Sequence, residues 1–200
     1  MSVQRAVLDA ALEIIAAEGP DVVSMRDVAR RAGISHQAPY HHFNDRAGIF
    51  AAIAAEGYRT LAEEFRAVMA DSAHPSRSCF AAYVRVATSH PGHFRVMFRA
   101  DLCGIESHPD TAAAADAGFA ELLEMVERTI GRPSDYVASF TWASLMWSTA
   151  HGFATLLIDG SLAHKLPPGL TMEQHISDVI DLMGEMVDRQ AAAMGLTPER

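Results

Sequence analysis

Cysteine is nearly absent from this 200-residue chain, with Cys79 and Cys103 the only two. Two thiols so spaced make neither a disulfide framework nor a metal-binding motif. Long apolar runs are missing as well. The stretch around Phe153–Ile158, FATLLI, is far too short to cross a bilayer, which needs about 20 apolar residues. Where a secretory signal would have its apolar core, the chain carries Asp9, Glu13 and Glu18. There is no glycine-rich phosphate loop, Gly131-Arg132-Pro133 reading as a helix break. Internal repeats and low-complexity segments are also missing. The chain is expected to be soluble, reduced and cytoplasmic, with no cofactor and no membrane partner.

Positive charge is scarce too, the formal net charge being −9. Its distribution is uneven. Residues 1–50 hold five arginines against six acidic residues, and the remainder holds 11 basic against 19 acidic. Within Val22–Phe50 four arginines face two aspartates, and His36, His41 and His42 are added. The acid therefore sits in the C-terminal part, and one N-terminal stretch is locally basic.

That stretch contains the most informative segment, Ser24–Phe43, SMRDVARRAGISHQAPYHHF. Ser24 offers an oxygen to the unpaired amides of a helix start, and Asp27 completes a shortened capping box. Val28 and Ala29 are the apolar positions of a short helix closed by Ala32, and Gly33 supplies a left-handed C′ residue. Ile34 packs the turn. Ser35 is expected to cap a second short helix through His36, Gln37, Ala38, Pro39 and Tyr40. Pro39, taken as the fourth helical position, is expected to tighten the first turn without breaking it. Two short helices joined by a glycine-containing turn form the geometry that sets a second helix in the DNA major groove. Val28, Ile34 and Phe43 are expected in the core.

The whole chain reads as helical. A first stripe, Val7, Leu8, Ala11, Leu12 and Ile15, ends near Gly19-Pro20. Asp45 caps a long helix that ends before His74-Pro75. Ser76 opens another, stopping at His90-Pro91-Gly92, and a short helix is expected over His93–Leu102, ahead of a polar loop, Gly104–Pro109. Thr111–Ile130 follows. Ser134 or Asp135 is expected to cap an apolar helix reaching Ile158, and Thr171 to cap the last. The fold class is all-α with about nine helices: a three-helix head over residues 1–45 and a larger helical part over 46–200.

From Val7 to Ile53 the sequence resembles the N-terminal domain of the tetracycline-repressor (TetR) family. The likeness is carried by the apolar first helix, the glycine before the second, Ser24, Val28-Ala29, Ala32-Gly33-Ile34-Ser35, Tyr40, Phe43 and the start of the linking helix. More weakly, Trp147, His151 and Gly152 in LMWSTAHGFATLLIDG are similar to a tryptophan-histidine-glycine pattern in one branch of that family. The resemblance implies a homodimer that sets one reading helix per subunit into a roughly palindromic double-stranded operator, and a small-molecule effector that releases it.

Side-chain chemistry then assigns roles. Gln37 and His36 suit base edges, glutamine pairing bidentately with adenine, and the Ala38 methyl suits a thymine methyl. Ser24, Arg26, Ser35, Tyr40, His41, His42 and Arg46 suit phosphate oxygens. An effector cavity draws on Tyr83, Met97, Phe98, Phe119, Phe140, Thr141, Trp147 and His151, residues that also fit a plain helical core. A second reading is a metal-responsive regulator using His90, His93, Cys103, Glu106 and His108. Catalysis is not expected, a Cys79 or Cys103 nucleophile beside a histidine being the one arrangement in view.

Overall fold

A computed structural model describes residues 2–131 and 136–196. Among them are ten α-helices and two short 3-10 turns, and no strand. The helices are α1 (Val3–Glu18), α2 (Met25–Arg31), α3 (Ala38–Phe43), α4 (Arg46–Met69), α5 (Pro75–Ser89), α6 (Pro91–Met97), α7 (Ala100–Cys103), α8 (Pro109–Ile130), α9 (Tyr136–Ile158) and α10 (Met172–Ala193). The all-α expectation holds, and the expected number, about nine, becomes ten. The stretch expected as one helix over His93–Leu102 is two, α6 and α7. The polar loop after it holds a 3-10 turn, Ile105–Ser107. Ser134 and Asp135 lie outside the described residues.

Prolines set where three helices start. Pro75, Pro91 and Pro109 each stand at the first residue of a helix, where a missing N–H costs nothing and a fixed φ is already helical. The helix before it, α5, stops at Ser89 as expected, and Pro91 opens α6 ahead of the expected start at His93.

The chain divides into two compact units. One holds the residues up to Thr60 together with His90–Ala117, and the other holds Leu61–Ser89 and the described residues from Gly118 onward.

In the first unit α1 packs on α2, α3 and α6. Val7, Ala11 and Ile15 of α1, Val28 of α2, and Ile49, Phe50 and Ile53 of α4 are fully or almost fully buried. Burying each such side chain stabilises the fold by about 1.5–3 kcal/mol. Close approach makes α6 part of this core: a β-carbon on Gly92 would lie 3.0 Å from Leu12, and one on Gly57 would lie 2.8 Å from Met97 Cγ. The polar clasp beside it joins three helices. Arg5 of α1 donates to both Glu56 oxygens at 2.8 and 3.0 Å, and His93 of α6 approaches the same carboxylate at 3.4 Å. His93, then Arg5, hold the Glu56 carboxyl below the usual carboxylate range against partial burial.

In the second unit α5 packs against both α9 and α10. The inward stripe of α9 is mostly small, Ser139, Ala143, Met146, Ala150 and Ala154, which lets the helices approach closely. On α10, a β-carbon at Gly184 would come within 2.9 Å of Arg77 on α5. The Thr171 capping box is present, its side chain accepting from Gln174 N–H while Gln174 accepts from Thr171 N–H. No described helix is long and apolar enough to cross a membrane.

Candidate DNA-binding face

The helix-turn-helix forms as its residues require. Ser24 Oγ accepts from Asp27 N–H at 3.1 Å and donates to the Asp27 carboxylate at 2.7 Å. That hydroxyl, then Arg30, holds the Asp27 carboxyl below the usual carboxylate range. At the other end of α2, Gly33 has φ +66°. Its N–H donates to Arg30, and Ile34 N–H donates to Ala29, at 3.3 and 3.1 Å. This pair of bonds is a Schellman cap, and it reverses the chain into the turn.

The reading helix begins later than expected. Its first residue is Ala38 and its N-cap Gln37, with Pro39 in the first turn. The expectation that Ser35 caps it and that Pro39 sits at the fourth position is therefore corrected. A proline so early removes an amide that has no intrahelical partner anyway, so it starts the helix and tightens nothing. Ser35, His36 and Gln37 fall in the approach to the helix, Ala38 N–H donating to Ser35 at 3.1 Å.

Burial then separates two faces. Pro39 and Phe43, one helical turn apart, are buried. Ser35, His36, Gln37, Tyr40, His41 and His42 are exposed, and Ala38 is half-buried. Val28 is fully buried, as expected, and Ile34 only half.

The other expected phosphate contacts are placed differently. Arg26 is exposed. Ser24 already commits its hydroxyl proton to Asp27. Arg46 is turned inward, its guanidinium 5.0 Å over the Phe50 ring and donating to the Pro20 carbonyl at 3.3 Å. Asp45 does cap α4, accepting from Gly48 N–H at 2.9 Å.

Sequence reasoning missed Asn44. It has φ 60° and ψ −53°, and Asp45 N–H reaches back across it to Phe43 O at 2.6 Å, a γ-turn that few residues but glycine and asparagine adopt. The available signals were the Asn-Asp pair and a glycine, Gly48, inside an apolar helix.

In the second unit the expected effector residues form an aromatic run. Trp147 Nε1–H donates to Tyr83 Oη at 3.3 Å, and Tyr83 Oη lies 2.9 Å from His151 Nδ1. An indole N–H only donates, so the tyrosine oxygen accepts from it. Burial holds His151 below the usual imidazole range. Phe119 meets Phe140 and Trp147 at ring separations of 5.9 and 6.4 Å. Thr141 donates to the Val137 carbonyl of its own helix. Met97 and Phe98 belong to the first unit, where Tyr58 donates to the Met97 carbonyl and meets Phe98 edge-on at 5.8 Å.

The residues of the metal reading are not gathered. His90 and His93 meet edge to face at 5.6 Å, but His93 serves Glu56, buried Cys103 donates to the Arg99 carbonyl at 3.1 Å, and His108 Nδ1 bonds the Gly104 carbonyl at 3.0 Å. Among the described residues no three His, Cys, Asp or Glu side chains are grouped to hold a metal ion.

Comparison with known proteins agrees with this geometry. Residues 7–53 match the bacterial regulatory proteins of the tetR family, and residues 76–179, more than half the chain, match the tetracyclin repressor-like C-terminal domain. The chain belongs to the TetR family. The C-terminal match does not tie this TetR-family chain to the tryptophan-histidine-glycine branch.

The uncharacterized HTH-type transcriptional regulator TtgW of Pseudomonas putida is 32% identical over 62 residues, 31% of this chain and 46% of that protein. The HTH-type transcriptional regulator SrpR of Pseudomonas putida is 32% identical over 62 residues, 31% of this chain and 29% of SrpR. The chain thus matches less than half the length of either curated relative. A tetR-family regulatory protein from Rhodococcus RHA1 shares the fold with TM-score 0.68 at 19% identity, over 94% of this chain and 97% of that one.

Proposed function

We propose that the chain is a ligand-responsive repressor. As a homodimer it places the segment Ser35–His42 of each subunit in successive major grooves of a roughly palindromic operator, and a small apolar or aromatic effector releases it. The observation that carries this reading is the exposed run of Ser35, His36, Gln37, Tyr40, His41 and His42 over a helix whose Pro39 and Phe43 are buried. Gln37 and His36 address base edges with Ala38 beside them, while Arg26, Ser35, Tyr40, His41 and His42 address phosphates. Ser24 joins them only where a phosphate takes over its proton from Asp27. Arg46 supports the head from within. Residues 1–45 act as the DNA-binding part and 46–200 as the effector and dimerisation part, in the cytoplasm where DNA is reached.

The dimer is supported by α9. It is apolar all round, yet Val137, Leu145 and Leu156 on the side away from its buried stripe are exposed, Val137 by 71% and Leu145 by 61%. A helix of this composition belongs in an interior, and a second copy supplies one. The effector reading is supported by Tyr83, Trp147 and His151 joined by hydrogen bonds, with Phe119 packed on Trp147 and Phe140. A regulator is favoured over a catalyst by the thiols: burial pushes the Cys79 thiol up to about 12 and Cys103 upward too, opposite to what a nucleophile needs.

A mobility-shift assay on the DNA upstream of the chain's own gene tests the reading. Retardation that Gln37→Ala weakens is expected. A protein that leaves this DNA and a genome-derived fragment pool unshifted contradicts it. Leu145→Glu, followed by sedimentation, is expected to convert dimer to monomer.

A further inference from the structure

The inference rests on the DNA-binding reading above and concerns how the head obtains its positive charge. Between Gly33 and Phe43 there is no lysine or arginine. The arginines nearby are mostly engaged within the protein. Arg30 donates to Asp27 at 3.0 Å, Arg31 lies 3.7 and 4.0 Å from Glu13 and Glu18, and Arg46 is folded over Phe50 onto Pro20. Arg26 is exposed. DNA presents one negative charge per about 1.7 Å of its axis. On the reading segment the groups able to answer it with positive charge are imidazoles, when protonated; Ser35 and Tyr40 offer neutral hydroxyls.

We propose that DNA binding by this chain is proton-coupled: His41 and His42, exposed at the end of α3, hold phosphates as imidazolium ions, so affinity rises as the solution becomes more acidic. The elements packed against α3 offer these rings few competing anions. From α2 come Arg26, Asp27, Arg30 and Arg31, and Asp27 is held by Ser24 and Arg30. From α1 come Glu13 and Glu18, both directed at Arg31. The following turn and α4 supply Asp45, which accepts from Gly48 N–H, and Arg46. A phosphate brought against the rings favours their charged form. Binding then takes up protons, and linkage makes the affinity fall as pH rises.

The test is fluorescence anisotropy with a labelled random-sequence duplex of about 30 base pairs, roughly three helical turns. It is read against salt at about pH 8 and about pH 6. Phosphate contacts carry no sequence information, so the operator itself is not needed. At matched salt the affinity is expected to be about tenfold higher at the lower pH, with a salt slope steeper by about one to two units, near 0.9 for each phosphate neutralised. A chain carrying both His41→Gln and His42→Gln keeps its helical circular dichroism and loses both effects, although eight of the ten histidines remain. A wild-type slope that is the same at both pH values overturns the proposal, as does a double variant that keeps the pH dependence. Binding without pH dependence leaves the DNA-binding reading standing, whereas no binding at either pH overturns that reading and this inference together.

Discussion

A β-carbon on Gly48 would run into the carbonyl oxygen of Phe43 and lie 3.0 Å from its carbonyl carbon. The same carbonyl accepts from Asp45 N–H, across Asn44 at φ 60°. The end of the reading helix thus meets α4 through backbone, with no flexible side chain to yield. Gly48→Ala is expected to push α3 away from α4, lowering stability by about 1–3 kcal/mol as other overpacked sites do, and to weaken DNA binding with it. Thermal unfolding followed by circular dichroism and anisotropy on duplex DNA read the two effects. Unchanged values in both would mean the turn shifts at no cost.

Arg46 offers a sharper contrast. Its guanidinium covers Phe50 and ties Pro20 to α4, so Arg46→Ala is expected to cost about 0.5–1 kcal/mol of head stability. The salt slope of DNA binding should stay where it is. A slope lowered by about one unit would instead put the side chain on a phosphate.

These two residues mark where the sequence was readable and where it was not. Caps, the Gly33 reversal and the apolar stripes depend on neighbours within a few positions, so Ser24, Asp45 and Thr171 announced their helices. Proline was ambiguous, because the same fixed φ that ends one helix starts the next. Pro39 was misplaced for that reason, and Pro91, which does follow the end of α5, was not seen to open α6. Arg46 and Glu56 depend on partners brought near by folding: Glu56 meets Arg5 from 51 positions away, and no local pattern reports that. Among the effector candidates, spacing put Trp147 and His151 on one helical face, but Tyr83, 68 positions from His151, could only be set beside them by composition.

Burial of His151 gives stability a pH dependence of known sign. Burial holds the folded imidazole below its usual range, whereas the unfolded ring titrates near pH 6.5. Below that pH the unfolded chain takes up a proton that the folded chain still refuses. The contribution of His151 is therefore complete above about pH 6.5 and is lost as pH falls from there toward the folded pKa. Urea midpoints read by tryptophan fluorescence should fall over that window more steeply for the wild type than for His151→Gln. Equal slopes would show that the ring protonates as readily folded as unfolded. Tyr83→Phe removes the hydroxyl between Trp147 and His151, and a loss of about 1 kcal/mol is expected at neutral pH.

Gln37 is where the proposed base reading is most exposed to refutation. As N-cap of α3 it makes no side-chain capping bond, and it stands exposed at the leading end of the helix. Its amide therefore has both a donor and an acceptor to offer an adenine edge. Gln37→Ala is expected to reduce discrimination at one base position of each half-site by about 1–3 kcal/mol while leaving the salt slope unchanged, since no phosphate contact is lost. Competition between single-base variants of the retarded fragment measures this position by position. An unaltered preference at every position would remove Gln37 from the base-reading set and leave His36, the exposed residue before it, as the next to test.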